Sequence, residues 1–132
     1  MFYFRDPNSG AITGMYGSGI QESFGTSQFG SYNLFLGMNN WMKILNTRDV
    51  ATEVTVTVHN PTGAPNVRII QLAPNQVVDL GLHDTGTFGT TLNTYGVAQL
   101  ETASGGAVMS ELVRFRTLSS GALDFAAPTA VR

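Results

Sequence analysis

In the stretch TEVTVTVHN, Val54, Val56 and Val58 alternate with Thr55, Thr57 and His59. Successive side chains of a strand point to opposite faces, so β-branched residues at period two mark a half-buried strand. The turn-forming run NPTGAP, from Asn60 to Pro65, ends that strand. NVRIIQL then reads as the next strand, APNQ as a turn and VVDLGL as a third, with Val78, Leu80 and Leu82 on one face. Residues 54–82 are expected to form a three-stranded meander. The pattern repeats downstream in YGVAQLET, AVMSELVRFRT and ALDFAAP, separated by ASGG and LSSG. Upstream, NWMKILNT reads as a strand anchored by Trp41, SYNLFLG as a further strand and GAITGMY as a weaker one. Turn signals every 8–12 residues or so belong to an all-β sandwich or barrel. No window sustains a 3.6-residue period, so little or no helix is expected.

The expected fold is an all-β, antiparallel, immunoglobulin-like β-sandwich of seven to nine strands in residues 32–132. Residues 1–31 are set apart as a glycine-punctuated arm. Glycines at 10, 14, 17, 19, 25 and 30 in this arm, and at 37 just beyond it, alternate with Phe2, Tyr3, Phe4, Ile12, Met15, Tyr16, Ile20, Phe24, Phe29 and Tyr32. A solvated linker would not carry so many apolar side chains. The arm therefore either folds back as extra edge strands or completes the sheet of a neighbouring copy. Expected inward-facing residues are Trp41, Ile44, Val54, Val56, Val58, Ile69, Leu80, Val97, Leu100, Val113, Phe115 and Phe125.

Composition narrows the function. The 132 residues suit one domain. Charged residues are 12%, against roughly 25% in typical soluble domains. A net charge of −2 and a single lysine, Lys43, give no reason to expect a nucleic-acid partner. No window approaches the ~20 apolar residues of a spanning helix, so no membrane insertion is expected. Without cysteine, disulfides and thiolate chemistry are excluded. MFYFRDPNSG lacks the basic start and apolar run of a signal peptide, so either the chain stays where it is made or a leader has been removed.

Several motifs invite chemical readings. Asp84-Thr85-Gly86 matches the tripeptide of aspartic proteases, in which two carboxylates share a proton. A chain this short would need a second copy for the second carboxylate, and His83 stands where that pattern has an apolar residue. The alternative is a turn, which Asp and Gly favour. His59, His83, Asp79 and Asp84 are irregularly spaced for a metal site, which needs three or four convergent ligands. No metal or other cofactor is expected. Arg114 and Arg116 share one strand face, read as solvated, with Val113 and Phe115 on the other.

From Tyr32 to about Phe125 the chain resembles a family of bacterial surface-protein repeats, β-sandwich modules of immunoglobulin or fibronectin type III shape. The resemblance lies in NWMKILNT, EVTVTVHNPTGAPNVRIIQLAPNQVVDL and YGVAQLETASGGAVMSELVRFR. It implies an extracellular or cell-surface module without catalytic residues.

The functional expectation is a non-catalytic subunit of an extracellular filament, sheath or cell-surface assembly. Copies would associate with one another through Phe2, Tyr3, Phe4, Ile12, Met15 and Tyr16 of the arm. A virion fibre or capsid component is a variant of the same idea. A different class is a glycan- or protein-binding module using Asp84, Phe88 and Tyr95 in or near the loop HDTGTFGTTLN.

Overall fold

A computed structural model describes residues 2–16 and 25–131. Eight strands form two four-stranded sheets and two more form a hairpin. In chain order they are β1 (Phe2–Arg5), β2 (Ile12–Tyr16), β3 (Ser27–Asn33), β4 (Asn39–Asn46), β5 (Thr52–His59), β6 (Asn66–Leu72), β7 (Val77–Gly81), β8 (Tyr95–Glu101), β9 (Val108–Thr117) and β10 (Leu123–Ala130). A single 3₁₀ turn spans Phe35–Gly37, and a one-turn helix, α1, spans Thr85–Phe88. The described residues are thus nearly all-β, and every strand pair among them is antiparallel.

One sheet runs β3-β8-β5-β6 and the other β10-β9-β4-β7. Within these orders, β5 pairs with β6, β4 with β7 and β3 with β8. Each pair encloses the previous one, so residues 27–101 form one long hairpin rolled over so that successive pairs alternate between sheets. Nested pairing of this kind underlies jelly rolls. It differs from the expected immunoglobulin order, whose sheets are A-B-E-D and C-F-G. The expected 54–82 meander is corrected in the same way: β5 and β6 pair, but β7 crosses to the other sheet and lies beside β4. The turn after Leu72 makes that crossing, with Asn75 at φ 57° and Asn46 N donating to Gln76 O. β3 runs across position 31, where the sequence suggested a boundary, and the SYNLFLG strand ends at Asn33 in the 3₁₀ turn.

The two sheets bury one core between them. Val54, Val56 and Val58 of β5 share the core with Met42, Ile44 and Leu112 of the opposite sheet, with Tyr32, Leu72, Leu82, Phe88, Leu100 and Val131 in the same cluster. Each such side chain contributes about 1.5–3 kcal/mol on burial. Ile44, the three valines and Leu100 are buried in the core as expected, Leu80 packs against it, and Val113 is buried but on the outer side of its sheet. Trp41, Ile69, Val97 and Phe125 are exposed instead, and Phe115 is half-buried.

Strand parity explains most of these corrections. Trp41 and Ile44 are three apart on β4, so only one can face inward. Asn40, Met42, Ile44 and Asn46 take the inner face. Trp41 is left outside, edge-on to His83 with ring centroids 5.1 Å apart. Val97 and Leu100 are likewise of opposite parity, and Leu100 with Ala98 lines the core. On β9, Leu112 faces in opposite Met42, while Val113 and Phe115 pair with Trp41 and Asn39 on the outer side. Arg114 and Arg116 therefore share the inner parity and are half-buried. Arg114 donates to Thr129 Oγ1 at 3.3 Å, and Arg116 Nε to Asp124 Oδ2 at 2.6 Å.

Three buried amide side chains tie the sheets together. Gln28 of β3 donates to Val108 O at 3.0 Å and accepts from Ser110 Oγ at 2.6 Å. Asn40 of β4 donates to Asn33 O at 2.6 Å and accepts from Asn33 N at 3.0 Å. Asn46, at the far end of β4, donates to Val50 O, Leu72 O and Ala73 O and accepts from Arg48 N and Thr52 Oγ1. A buried amide is tolerated only when its partners are supplied, so these contacts fix where the sheets sit on each other.

Candidate interaction surface

The first candidate surface is the β1–β2 hairpin. Asp6 shapes its loop: its carboxylate accepts from Asn8 N, Ser9 N and Ser9 Oγ. These bonds, that from Ser9 N foremost, hold the Asp6 carboxyl below the ordinary carboxylate range. Tyr3 pairs with Met15 and, past a bulge, Arg5 pairs with Ile12. One face of the hairpin therefore carries Tyr3, Arg5, Ile12 and Met15, with the Arg5 guanidinium 5.2 Å from the Tyr3 ring centroid. Tyr3, Ile12 and Met15 are each mostly exposed. The opposite face approaches the sandwich at Gly14, where a Cβ would stand 2.5 Å from Leu123 Cδ2. Backbone pairing places Phe2, Phe4 and Tyr16 on that opposite parity. Gly17, Gly19, Ile20 and Phe24 lie outside the described residues.

The second candidate surface is the end of the sandwich where the β3–β4 and β7–β8 connections meet. Asp84 is the N-cap of α1: its carboxylate accepts from Gly86 N at 3.1 Å, Thr87 N at 3.3 Å and the Thr87 hydroxyl. The Thr87 hydroxyl, then the Thr87 amide, hold the Asp84 carboxyl below its ordinary range. Asp-Thr-Gly is here a helix cap. Gly89 ends the turn at φ 60°. Phe88, expected in a recognition loop, points inward and is 2% exposed. Its ring anchors the loop and is not offered to a ligand. Tyr95 is exposed and stacks on Phe35, with centroids 6.3 Å apart at 25°. The two connections are stitched by Leu34 N to Thr94 O at 2.8 Å and Asn93 N to Leu34 O at 3.2 Å. Leu36 and Leu92 beside them are also exposed.

The sequence readings of the histidines separate here. His83 Nδ1 lies 3.1 Å from Asn40 O at the end of β4, and His59 Nε2 lies 3.1 Å from Gln99 Oε1 across the other sheet. Asp79 pairs with Lys43 at 2.6 Å. Among the described residues no three His, Asp or Glu side chains are grouped to hold a metal ion. Among those same residues no helix is long and apolar enough to cross a membrane. Sequence reasoning missed Phe35 and Leu36, which it placed inside a strand. The Gly37 that ends LFLG was the available signal for a turn.

No protein-family model matches this chain, and no curated protein matches it. Among solved structures, it is similar to the crystal structure of Thermotoga maritima 1070, with a TM-score of 0.65 and 17% sequence identity. The alignment covers 81% of this chain and 92% of that one. At that identity the likeness shows a shared fold alone.

Proposed function

We propose that this chain is a non-catalytic structural subunit of an extracellular filament, sheath or cell-surface assembly, whose copies join by strand addition through the N-terminal hairpin. The observation that carries the reading is the hairpin face itself. A two-stranded hairpin is marginal alone in water, yet this one displays Tyr3, Ile12 and Met15 to solvent. Among the described residues β1 and β2 pair only with each other, so the hairpin keeps strand edges that can template a neighbour. A head-to-tail contact of this kind builds a filament when its rotation does not close on itself. The low charge of the chain and its resemblance to surface-protein repeats favour an extracellular or cell-surface setting, with a virion component as the variant. That resemblance is one of strand and turn pattern, not of strand connectivity.

The test is Ile12→Lys with Met15→Lys in the full chain, viewed by negative-stain microscopy. Charges on an exposed edge discourage pairing, so the variant should lose long assemblies that the parent forms. Unchanged assemblies would remove the hairpin from the mechanism.

The stacked pair Phe35–Tyr95 favours a second reading: a glycan- or protein-binding module at the loop end. Paired exposed rings among a few polar groups suit a binding site. Binding on a glycan array that disappears in Tyr95→Ala would favour it, and an array with no signal from the parent would count against it.

A further inference from the structure

The outward face of the β3-β8-β5-β6 sheet is unlike a solvated sheet face. An antiparallel sheet with one wet side normally alternates apolar inward and polar outward. Here the outward positions include Phe29 on β3, Tyr95 and Val97 on β8, and Val67 and Ile69 on β6, all exposed. Phe29 lies opposite Gln99, Val97 opposite both Ser31 and His59, Val67 opposite Thr57 and Ile69 opposite Thr55. The polar groups between them are bonded to one another: His59 Nε2 is 3.1 Å from Gln99 Oε1, and Gln99 Nε2 donates to Ser27 Oγ at 3.2 Å. Covering this stripe would therefore leave its amide and imidazole with partners.

Charge is distributed to match. On this face the charged side chains are Glu53 and Glu101, both at the end away from Tyr95. The other sheet carries Lys43, Asp79 and Glu111 in one cross-strand row on its outer side. At the Tyr95 end the apolar surface continues onto Phe35 and Leu36. Leu36 is 66% exposed and sits at φ 58°, a left-handed conformation that costs a leucine energy. The free chain gains little from holding an apolar side chain out in a strained backbone.

We propose that this face is where a second copy of the chain docks, sheet against sheet about a twofold axis. A copy fits better than an unrelated partner for two reasons. The face has no charge at its centre, so it can meet itself without opposing like charges. With the strands of the two copies antiparallel, Glu53 and Glu101 of one copy lie at the opposite end of the contact from those of the other, and the centre between them is uncharged. The size also fits. Half-exposed aromatic and aliphatic side chains at these seven positions offer on the order of 700 Å², close to the ~800 Å² per partner of a stable interface. The contact is isologous and uses none of the hairpin residues, so it stands whether or not the hairpin joins copies. If both operate, each chain has two different contacts, which is what an extended assembly of dimers needs.

The experiment is light scattering after size exclusion on the full chain bearing Ile12→Lys and Met15→Lys, which silences the hairpin. The expected mass is twice the 14.1 kDa chain. Adding Phe29→Glu or Val67→Glu should raise the dimer dissociation constant at least tenfold. Val77→Glu, an equally exposed position on the other sheet, should leave it unchanged. Leu36→Gly should weaken the dimer while raising the melting temperature of dilute monomer, a combination that misfolding cannot produce. A monomer at every concentration, or a dimer indifferent to both Phe29→Glu and Val67→Glu, would overturn the proposal.

Discussion

Asn46→Asp exchanges one amide NH₂ for an oxygen at nearly constant volume, at a site where that NH₂ donates to three carbonyls. Asn46 is fully buried, and its Nδ2 lies 2.9 Å from Val50 O, 3.2 Å from Leu72 O and 2.9 Å from Ala73 O. The substitution leaves the two bonds accepted by Oδ1 intact and turns the other three contacts into oxygen against oxygen. Each buried acceptor that loses its donor costs about 1–3 kcal/mol. Carbonyls retain a second lone pair, so the lower end applies and the sum is about 3–4 kcal/mol before any charge is counted. Folded domains hold only ~5–15 kcal/mol in all, so a large part of the stability would go.

The same substitution introduces a pH signature. The new carboxyl is buried among carbonyl oxygens, so its folded pKa is raised above the ~3.9 of a free Asp. A raised carboxyl pKa means that the folded state binds the extra proton. Relative stability is therefore greatest below the unfolded value and falls as pH climbs from about 4 towards the folded value. Asn46→Ala, which adds no titrating group, should be destabilised without that slope. Urea unfolding of the three proteins between pH 4 and 8 measures both quantities. A cost below about 1 kcal/mol at pH 7, or a pH profile for Asn46→Asp parallel to that of Asn46→Ala, would refute the account of how the sheets are joined.

Asp84→Ala should lower the thermal midpoint at neutral pH and flatten its acid limb. The depressed Asp84 carboxyl stabilises the fold above its ordinary value of 3.8, and that contribution is lost as pH falls through the lower folded value. An acid limb unchanged in the variant would deny the cap. Gly96→Ala should cost about 1–3 kcal/mol in denaturant melts, because its Cβ would overlap the His59 carbonyl and stand 2.6 Å from the Tyr32 hydroxyl. A neutral result would mean that β8 can move away from β5. Spectrophotometric titration should show a phenolate forming only above 10.0 and absent in Tyr32→Phe, because burial pushes the Tyr32 phenol up. Identical titration curves would contradict that burial.

The fold class was legible because Val54, Val56 and Val58 declare their face by alternation, and β5 is buried on that side as the pattern requires. Inward facing residues failed where size was weighed without parity. Trp41 outranks Met42 in apolar bulk, yet Asn40 and Asn46 share Met42's face because their amides find partners across the sheets. No local pattern reveals those partners, since Asn33 O and Ala73 O are brought there by the fold. The path of β7 failed for a related reason: a short turn can close a hairpin or cross between sheets, and Leu72 and Ala73 are held to the Asn46 amide rather than continuing a meander. At the loop end, Asp84 was legible as a turn former, whereas Phe88 and Tyr95 look alike in sequence. One lies behind the Asp84 cap as its anchor, and the other faces out from β8.

The central claim is that apolar surface left outside this sandwich joins copies of the chain to one another. Sedimentation velocity of the unmodified protein over a hundredfold range of concentration tests it most directly. The account predicts species heavier than the 14.1 kDa chain that grow with concentration and strengthen in sulfate, as buried apolar surface should. A single 14.1 kDa species across the whole range, with or without sulfate, would contradict it.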